Sequence, residues 1–364
     1  MGLPTVKINI ATGGLGRAGD GVQKIAGLII TGATVADGIA IGESRQIFSL
    51  ADAEGLGILE AGANAFAHKH IAAYYAMAGS GSELWLMLVS DATTYADMAD
   101  VNETIGMKLI ADAGGRIRVL GLLKEAGSGE TITEGIDADV KAGVANAQAL
   151  AEYYEDRYMP FRVVISGNKF SGTVAELFDY NTASYNKVLM LLANTDKAPE
   201  ASIGKLLGRI AAIPTQRSIA RVKDGAAEDF STYFTNGASV ETLRDAWDTI
   251  HDLGYTFYRN FTGKAGYYFT DDRTLTSATD DFSSLARGLV MDEALILVYN
   301  VLVDELNDEI PVTAEGKIHP VIIKSWQSNV NTRLQALMVA LGKLSNAACF
   351  IDPDQNVLST DKVM

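Results

Sequence analysis

Four short stretches of continuous apolar sequence mark the first half of the chain. They are LWLMLVS at 84–90, IRVLGLL at 117–123, FRVVISG at 161–167 and VLMLLAN at 188–194. A strand with one face in water alternates apolar and polar residues, whereas a continuous apolar run is typical of a strand covered on both faces. The pattern therefore predicts four buried strands.

Longer segments with helical periodicity accompany these strands. They cover residues 54–79, 95–114 and 137–158. The first precedes the run at 84–90, and the other two connect successive runs. An order of strand, helix, strand and helix predicts an α/β fold whose parallel strands are joined by right-handed crossovers. We therefore expect an α/β body with a parallel or mixed sheet flanked by helices.

The pattern changes after about residue 235, where aromatic residues and longer helical segments replace the short apolar runs. Two aromatic runs around the turn residues TGKAG are typical of a hairpin, and the DDFS segment suits a helix N-terminus. This part of the chain therefore predicts an α+β module. Its predicted elements are a helix at 239–254, a hairpin at 255–275, helices at 280–308 and 320–344, and a strand and turn within 348–364.

Composition and charge narrow the function classes. The chain has 364 residues, 48% of them hydrophobic, and a formal net charge of −15. Such a chain is folded, and its acidity disfavours nucleic acid and anionic membranes as partners. Cys349 is the single cysteine, which excludes an intrachain disulfide framework and a cysteine-rich zinc site. The N-terminus lacks the pattern of a signal peptide, and the most apolar window, 25–41, is interrupted by glycines and Asp37.

The segment VKINIATGGLGRAGDG at 6–21 resembles a dinucleotide-binding fingerprint. An alternating strand with Val6, Ile8 and Ile10 runs into G-x-G-x-x-G at Gly14, Gly16 and Gly19. A Rossmann unit needs a helix that starts in the glycine turn. Here Asp20 follows, and then IAGLIITGA, which is typical of a strand. We interpret the glycines as a connector, and keep an α/β enzyme that binds a dinucleotide at Gly14–Gly19 as the alternative.

One histidine pattern and one aspartate pattern have the residue types of a metal site. His68 and His70 are two apart, which on a helix places them about 200° apart, so we expect exposed residues that share no metal. Asp352, Asp354 and Asn356 match the first ligands of a calcium loop, but its later glycine and glutamate positions hold valines. A polar turn is the preferred interpretation. His251 and His319 receive no role.

Paired carboxylates and clustered aromatics also have structural explanations. The pairs Asp271–Asp272 and Asp280–Asp281 lie at a hairpin exit and a helix start, where aspartates are common as caps. The aromatic residues of 255–269 have only Arg259 and Lys264 among them, which favours cross-strand packing or a protein interface over base stacking. G-x-S-x-G, Walker and H-E-x-x-H motifs do not occur. We expect neither an enzyme nor a cofactor or metal.

Three segments of the chain resemble contractile tail sheath proteins, in particular the short sheath-like proteins of the DUF2586 type. The first is GLPTVKINIATGGLGRAGDGVQKIAGLIITG at the start of the chain. The second is QIFSLADAEGLGI followed by SELWLMLVS. The third is the hairpin and helix from GYTFYRNF onward, with Arg273-Thr-Leu275 and then Arg287 to Glu293. One departure is YFTDDRTL in place of the VWGART of many phage sheaths.

The resemblance implies a division of the chain. It gives an N-terminal linker arm at 1–20, an α/β body at 21–235, a C-terminal sheath module at 236–347 and a C-terminal strand that starts a second arm at 348–364. The arm residues Val6, Ile8 and Ile10 would enter a neighbouring subunit's sheet, with Gly14 and Gly16 in the hinge. Family members continue beyond DQNVLST, so we expect a C-terminal arm that is shorter or continues past Met364.

The resemblance also implies a function. The chain would be a structural subunit that polymerises helically around an inner tube and contracts to drive it through a target envelope. Its partners would be itself, the tube protein, and baseplate and terminator proteins, in a virion tail or contractile particle assembled after synthesis in the bacterial cytoplasm. Lys324, Arg333 and Lys343 of helix 320–344 are predicted to face an acidic tube, and a core helix with solvated charges is the alternative. A sheath-fold assembly or terminator protein remains an alternative.

Overall fold

The computed structural model describes residues 24–305, 311–313 and 317–354. The strands are β1 Ile25–Thr31, β2 Ser44–Ile47, β3 Leu84–Val89, β4 Ile117–Leu123, β5 Ile132–Thr133, β6 Ile136–Asp137, β7 Arg162–Ser166, β8 Ser184–Tyr185, β9 Val188–Leu191, β10 Ala193–Asn194, β11 Tyr233–Phe234, β12 Tyr258–Asn260, β13 Tyr267–Phe269 and β14 Leu275–Thr276. The helices are α1 Leu50–Gly55, α2 Ala65–Ala78, α3 Tyr95–Ala99, α4 Ile105–Asp112, α5 Ala138–Glu155, α6 Ile203–Ala212, α7 Trp247–Asp252, α8 Leu285–Leu302 and α9 Pro320–Leu334.

A mixed sheet forms the centre of the molecule, with strand order β2-β3-β1-β4-β7-β9. Strands β3, β1, β4, β7 and β9 run parallel, and β2 pairs antiparallel with β3. The four continuous apolar runs form β3, β4, β7 and β9, and the strand pattern after the glycine-rich segment forms β1. The prediction of a parallel or mixed sheet with buried strands is confirmed.

Helices cover both faces of this sheet, which explains why its strands are apolar throughout. A Cβ on Gly121 of β4 would lie 2.6 Å from Leu207 of α6. The next residue along, Leu122, is in register with Ile165, and Ile165 lies against Gly143 of α5. Because adjacent residues of a strand point to opposite faces, α6 and α5 pack on opposite sides.

Two of the three helices predicted for the α/β body are each divided in two. Segment 54–79 contains the end of α1 and all of α2, and the chain between them turns at Gly57 and Gly62, whose φ angles are +82° and +105°. Segment 95–114 contains α3 and α4. There Asp100 ends α3, and its side chain accepts the Asn102 amide at 2.8 Å, which closes a local turn. Each helix of a pair contributes apolar residues to the core, so the apolar periodicity continues across both breaks. This continuity is why the sequence predicts one helix in each segment.

The hairpin and its aromatic packing are confirmed. Strands β12 and β13 are antiparallel, with Tyr258 opposite Phe269 and their ring centroids 4.8 Å apart. The hairpin shares its core with the sheet, because one continuous cluster of buried apolar residues runs from Ile25 to Leu289. The module boundary at residue 236 stays a prediction.

The remaining C-terminal elements are shorter than predicted. Segment 239–254 forms a 3₁₀ turn at Val240–Ala246 and then α7. Helix α9 passes into a π-helical turn at Gln335–Val339, so 320–344 is not one α-helix. No strand occurs in 348–354, although the polar turn is present, since Asp354 donates its amide to Asp352 at 2.9 Å. Within the described ranges, no helix is long and apolar enough to cross a bilayer.

Candidate functional site: helices α8 and α9 and their contact with the sheet

Helix α8 begins at a cap supplied by the exit of the hairpin. Asp272, which is 4% exposed, accepts the Ala286 amide at 3.0 Å and the Ser284 hydroxyl at 2.9 Å through Oδ2. Amides in the first turn of a helix have no partner within the helix, so a side-chain acceptor stabilises its start. The predicted capping role is confirmed for Asp272. Asp280 instead accepts the Phe282 amide at 2.7 Å in the turn before the helix.

A buried ion pair attaches α8 to the amino-terminal edge of the sheet. Arg162, the first residue of β7, donates Nε and Nη2 to the two carboxylate oxygens of Asp292 at 2.7 and 2.6 Å. Both side chains are only 2% exposed. Gly288, one turn earlier, accepts from Nη2 at 3.2 Å, and a Cβ there would lie 2.6 Å from the guanidinium carbon. This bidentate geometry fixes where α8 crosses the sheet edge.

A second ion pair lies one residue further along α8. Lys343 donates to Glu293 at 2.6 Å, and their side chains are 9% and 4% exposed. The ammonium group of Lys343 is therefore directed into the subunit. Of the three cations predicted to face a tube, Lys343 is instead an internal partner of Glu293.

Lys24 brings a further buried charge to the same edge. Its ammonium group donates to the carbonyls of Ile210 and Ile213 at the end of α6. Burial lowers the pKa of Lys24 to about 7, although the field of Glu293 opposes this change.

Replacing Lys24 with methionine is expected to remove a pH-dependent part of the stability. Because the pKa falls from 10.5 to about 7 on folding, the unfolded chain holds more protons between these values, and stability rises with pH across that window. In urea titrations, the free energy of unfolding of the wild type should therefore rise from pH 7 to pH 9 relative to that of Lys24→Met. A constant difference would contradict this assignment. Lys108→Met, at an exposed lysine, is the comparison variant.

Helices α8 and α9 pack through a small apolar cluster separate from the main core. Its buried members are Val290, Ala294, Val330, Leu334 and Met338. A third cluster, formed by Ile318, Ile323, Trp326 and Ile351, lies at the start of α9. The two helices thus contact each other through apolar residues. Helix α8 contacts the body through Leu285 and Leu289, which belong to the main core, and through the ion pair of Asp292 with Arg162.

The outer face of α9 carries a shallow groove. Its rim is formed by polar residues and its far end by small apolar ones: Lys324, Gln327, Ser328, Asn331, Thr332, Gln335, Ala336, Val339 and Ala340. Asn331 and Gln335 also hold the following segment, through the Cys349 amide at 2.6 Å and the Ala347 carbonyl at 3.1 Å. Lys324 and Arg333 are both exposed on α9. Their contact with a tube stays a prediction.

At the carboxyl edge of the sheet, where doubly wound enzymes bind nucleotides, side chains of this chain bond to the backbone that follows the strands. Asn64 both accepts from the Ala33 amide and donates to the Ala33 carbonyl, directly after β1. The Tyr95 hydroxyl accepts the Lys124 amide at 3.0 Å, directly after β4, and donates to Asn168 at 3.1 Å. Asn168 also donates to the Lys124 carbonyl at 3.0 Å, so Tyr95, Lys124 and Asn168 form one hydrogen-bond network at this edge.

The prediction that His68 and His70 are exposed is wrong. Both are buried, with 7% and 3% exposure. His68 faces Glu54 of α1 at 3.1 Å, and burial holds the pKa of His70 well below its usual value. Helix α2 lies between α1 and α6, so the face that looked polar in sequence is also covered. Among the described residues, no group of three potential ligands could hold a metal ion.

The predicted arm residues Val6, Ile8, Ile10, Gly14 and Gly16 lie outside the described residues. The sequence prediction also missed Arg162 and Asp292. Each stands as a charged residue within an apolar segment, FRVVISG and GLVMDEALILV. A charge in such a segment requires a buried partner, but the pairing across 130 residues is visible only in the fold.

The sequence model for the DUF2586 N-terminal domain matches residues 3–273. No curated protein matches the chain.

Several solved structures share the fold. The sheath complex of an extracellular contractile injection system (PVC), in the contracted state, aligns with TM-score 0.60 and 13% identity over 100% of this chain and 92% of that one. The anti-feeding prophage (AFP) helical sheath, also contracted, gives TM-score 0.58 and 13% identity over 100% and 94%. A sheath tail protein of Listeria innocua gives TM-score 0.52 and 11% identity over 88% and 86%.

Proposed function

The chain belongs to the DUF2586 family, and from this premise we propose that it is the structural subunit of a contractile sheath. The observation that carries the proposal is a structural alignment over the full length of the chain. The whole chain aligns with the subunits of two sheaths, and more than nine tenths of each of those subunits is matched in return. A sheath subunit polymerises helically around an inner tube and drives it forward on contraction. Baseplate and terminator proteins would cap such a polymer.

Strand addition between subunits is the proposed means of linking the polymer. The segment with Val6, Ile8 and Ile10 has the alternation of a strand, and main-chain hydrogen bonds to a neighbour's sheet edge require little sequence specificity. A free strand normally risks aggregation because its backbone groups are unpaired. Directed self-association would use this same tendency to pair. Gly14 and Gly16 would let the arm reach a neighbour.

Tube contact is assigned to α9 in this proposal. Lys324 and Arg333 are exposed there, on a chain whose net charge is −15. A non-enzymatic role is favoured by the structural neighbours, which are sheath proteins, and by the carboxyl edge of the sheet, where Tyr95 and Asn168 bond to each other.

Disrupting the apolar face of the arm is expected to abolish long sleeves. Val6→Asp, Ile8→Asp and Ile10→Asp combined would place charges in the neighbour's sheet, so negative-stain microscopy should show single subunits or short fragments. The matched control changes the opposite face of the same segment, as Lys7→Ser and Asn9→Ser, and should still form sleeves. Sleeves of normal length from the triple variant would exclude the arm.

Tests of the wild-type chain decide the function itself. Purified wild-type protein, alone or with its tube protein, is expected to form hollow helical sleeves. Saturable, tight binding of a nicotinamide dinucleotide, together with failure to form sleeves, would instead favour an enzyme.

A further inference from the structure

One face of α8 is exposed and largely apolar. Arg287, Met291, Leu295 and Tyr299 are spaced four residues apart and share this face over about 18 Å. Met291 is 44% and Tyr299 37% exposed, and Leu295 is half-buried. The other faces of the helix bind the sheet edge through Asp292 and α9 through Val290 and Ala294. We call the exposed face, Arg287 to Tyr299, the α8 stripe.

Tyr158 extends the α8 stripe beyond the helix. Its ring stacks on Tyr299 with centroids 4.3 Å apart and planes 14° apart, and it stays 50% exposed. The Tyr158 backbone has φ +61°, a conformation that is unusual for a bulky residue. Tyrosine, methionine and arginine are the residues enriched at the centres of protein interfaces. The stripe is therefore a contiguous surface, and not a set of scattered apolar residues.

The α8 stripe has an unpaired cation at one end. Arg287 is exposed, and none of the carboxylates in the described ranges forms an ion pair with it. The chain as a whole carries a charge of −15. A second copy of this chain therefore offers the complementary charge.

The complementary surface lies around α7. Asp248 and Asp252 are exposed and four residues apart on this helix, and exposed Asp245 precedes it. Like charges at this spacing repel each other, so a cation from outside would relieve the repulsion. The nearby cation Arg244 is already engaged, since it donates to Asn260 at 2.7 Å and lies 4.8 Å from the Trp247 ring. His251 lies 3.4 Å from Asp252, so within the described ranges Asp245 and Asp248 are the aspartates of this group that form no ion pair. We call Asp245, Asp248 and Asp252 the α7 acidic face.

We propose that the α8 stripe of one copy binds the α7 acidic face of a second copy, with Arg287 paired to Asp248. The inference rests on the proposed self-assembly. Because the two surfaces differ, the contact is heterologous, and each added copy presents a free surface of each kind. Such a contact continues into a ring or a helical polymer, which an isologous pair would not do.

Charge reversal tests the pairing in the full-length chain. Arg287→Glu and Asp248→Lys are each expected to raise the concentration needed for sleeve formation about tenfold, which is a loss of about 1.4 kcal/mol per contact. The double variant restores the pair, so the concentration it needs for sleeve formation should be within about threefold of the wild-type value. Lys108→Glu makes the same charge change at an exposed lysine on α4 and should assemble normally. Circular dichroism checks that each variant is folded.

Cross-linking gives a second readout that needs no stable sleeve. In a Cys349→Ser background, Met291→Cys together with Thr249→Cys should form a ladder of disulfide-linked oligomers on oxidation, because each copy offers both halves of the contact. Either cysteine alone should give no ladder. The pair Met291→Cys and Lys108→Cys is the matched control and should give none.

The outcomes separate this contact from the proposed function. If the wild type forms sleeves and Arg287→Glu does so equally, the contact is wrong and the function stands. If both single variants fail and the double variant also fails, the Arg287–Asp248 pairing is overturned. If the wild type forms no sleeves, the proposed function fails, and the cysteine ladder still decides whether these surfaces meet.

Discussion

Replacing Gly204 with valine is expected to destabilise the folded chain by about 3 kcal/mol, the upper range for overpacking a close contact. Gly204 and Gly208 lie one turn apart on α6, where they face α2. A Cβ on Gly204 would lie 2.0 Å from the His70 carbonyl oxygen, and one on Gly208 would lie 2.5 Å from the Tyr74 carbonyl oxygen. Backbone atoms cannot rotate away, so the two helices would have to separate.

Urea unfolding followed by circular dichroism would measure this loss as a lower midpoint with an unchanged slope. Gly55→Ala is the control, because Gly55 is also helical and a Cβ there would meet nothing within 4 Å. That variant should be neutral or slightly stabilising, since alanine loses less backbone entropy on folding. Equal effects of the two substitutions would contradict the close approach of α2 and α6.

Asp292→Ala is expected to cost about 3–5 kcal/mol, because it leaves the Arg162 guanidinium buried without its carboxylate. The Gly288 and Asn186 carbonyls, 3.2 and 3.1 Å from the guanidinium nitrogens, would remain, but neither carries a charge. Since α8 crosses the sheet edge at this pair, the loss should also loosen the docking of α8 and α9. Hydrogen exchange should then rise in α8 more than in β3.

The double variant Arg162→Met and Asp292→Leu separates the two contributions to this cost. Replacing a buried pair with apolar residues of similar volume removes the unpaired charge, so stability should return to near the wild-type value. An exposed pair gives the comparison. Lys69 and Asp196 are 2.9 Å apart with side chains 41% and 42% exposed, and Asp196→Ala should cost less than about 1 kcal/mol. A small loss in Asp292→Ala would show that α8 is held mainly by its apolar contacts.

Some elements of this fold could be predicted because their signal is local. A continuous apolar run such as LWLMLVS is explained by burial on both faces, and the aromatic runs around TGKAG by a hairpin. The predicted boundaries of the helices are less accurate. The breaks at Gly57 and Asp100 interrupt segments whose apolar residues all reach the same core, so periodicity alone could not reveal them.

The candidate site was only partly accessible from the sequence. Exposure of Lys324 and Arg333 agrees with a solvated face of α9, whereas Lys343, chosen on the same grounds, is directed at Glu293. The two histidines of α2 were expected to be exposed, but α1 and α6 cover the helix from both sides. For Lys343 and for both histidines, burial depends on a neighbour that is distant in the sequence, and a sequence pattern does not identify that neighbour.

By itself, the sequence determined the α/β body, its buried parallel strands, the hairpin and the resemblance to sheath proteins, because hydrophobic period and turn chemistry act over a few residues. The tertiary structure alone decided which charges meet. Arg162 with Asp292, Lys343 with Glu293, and the close contact of Gly204 with His70 join residues between 50 and 134 positions apart. Burial makes those pairings energetically strong, and only the packed fold brings the partners together.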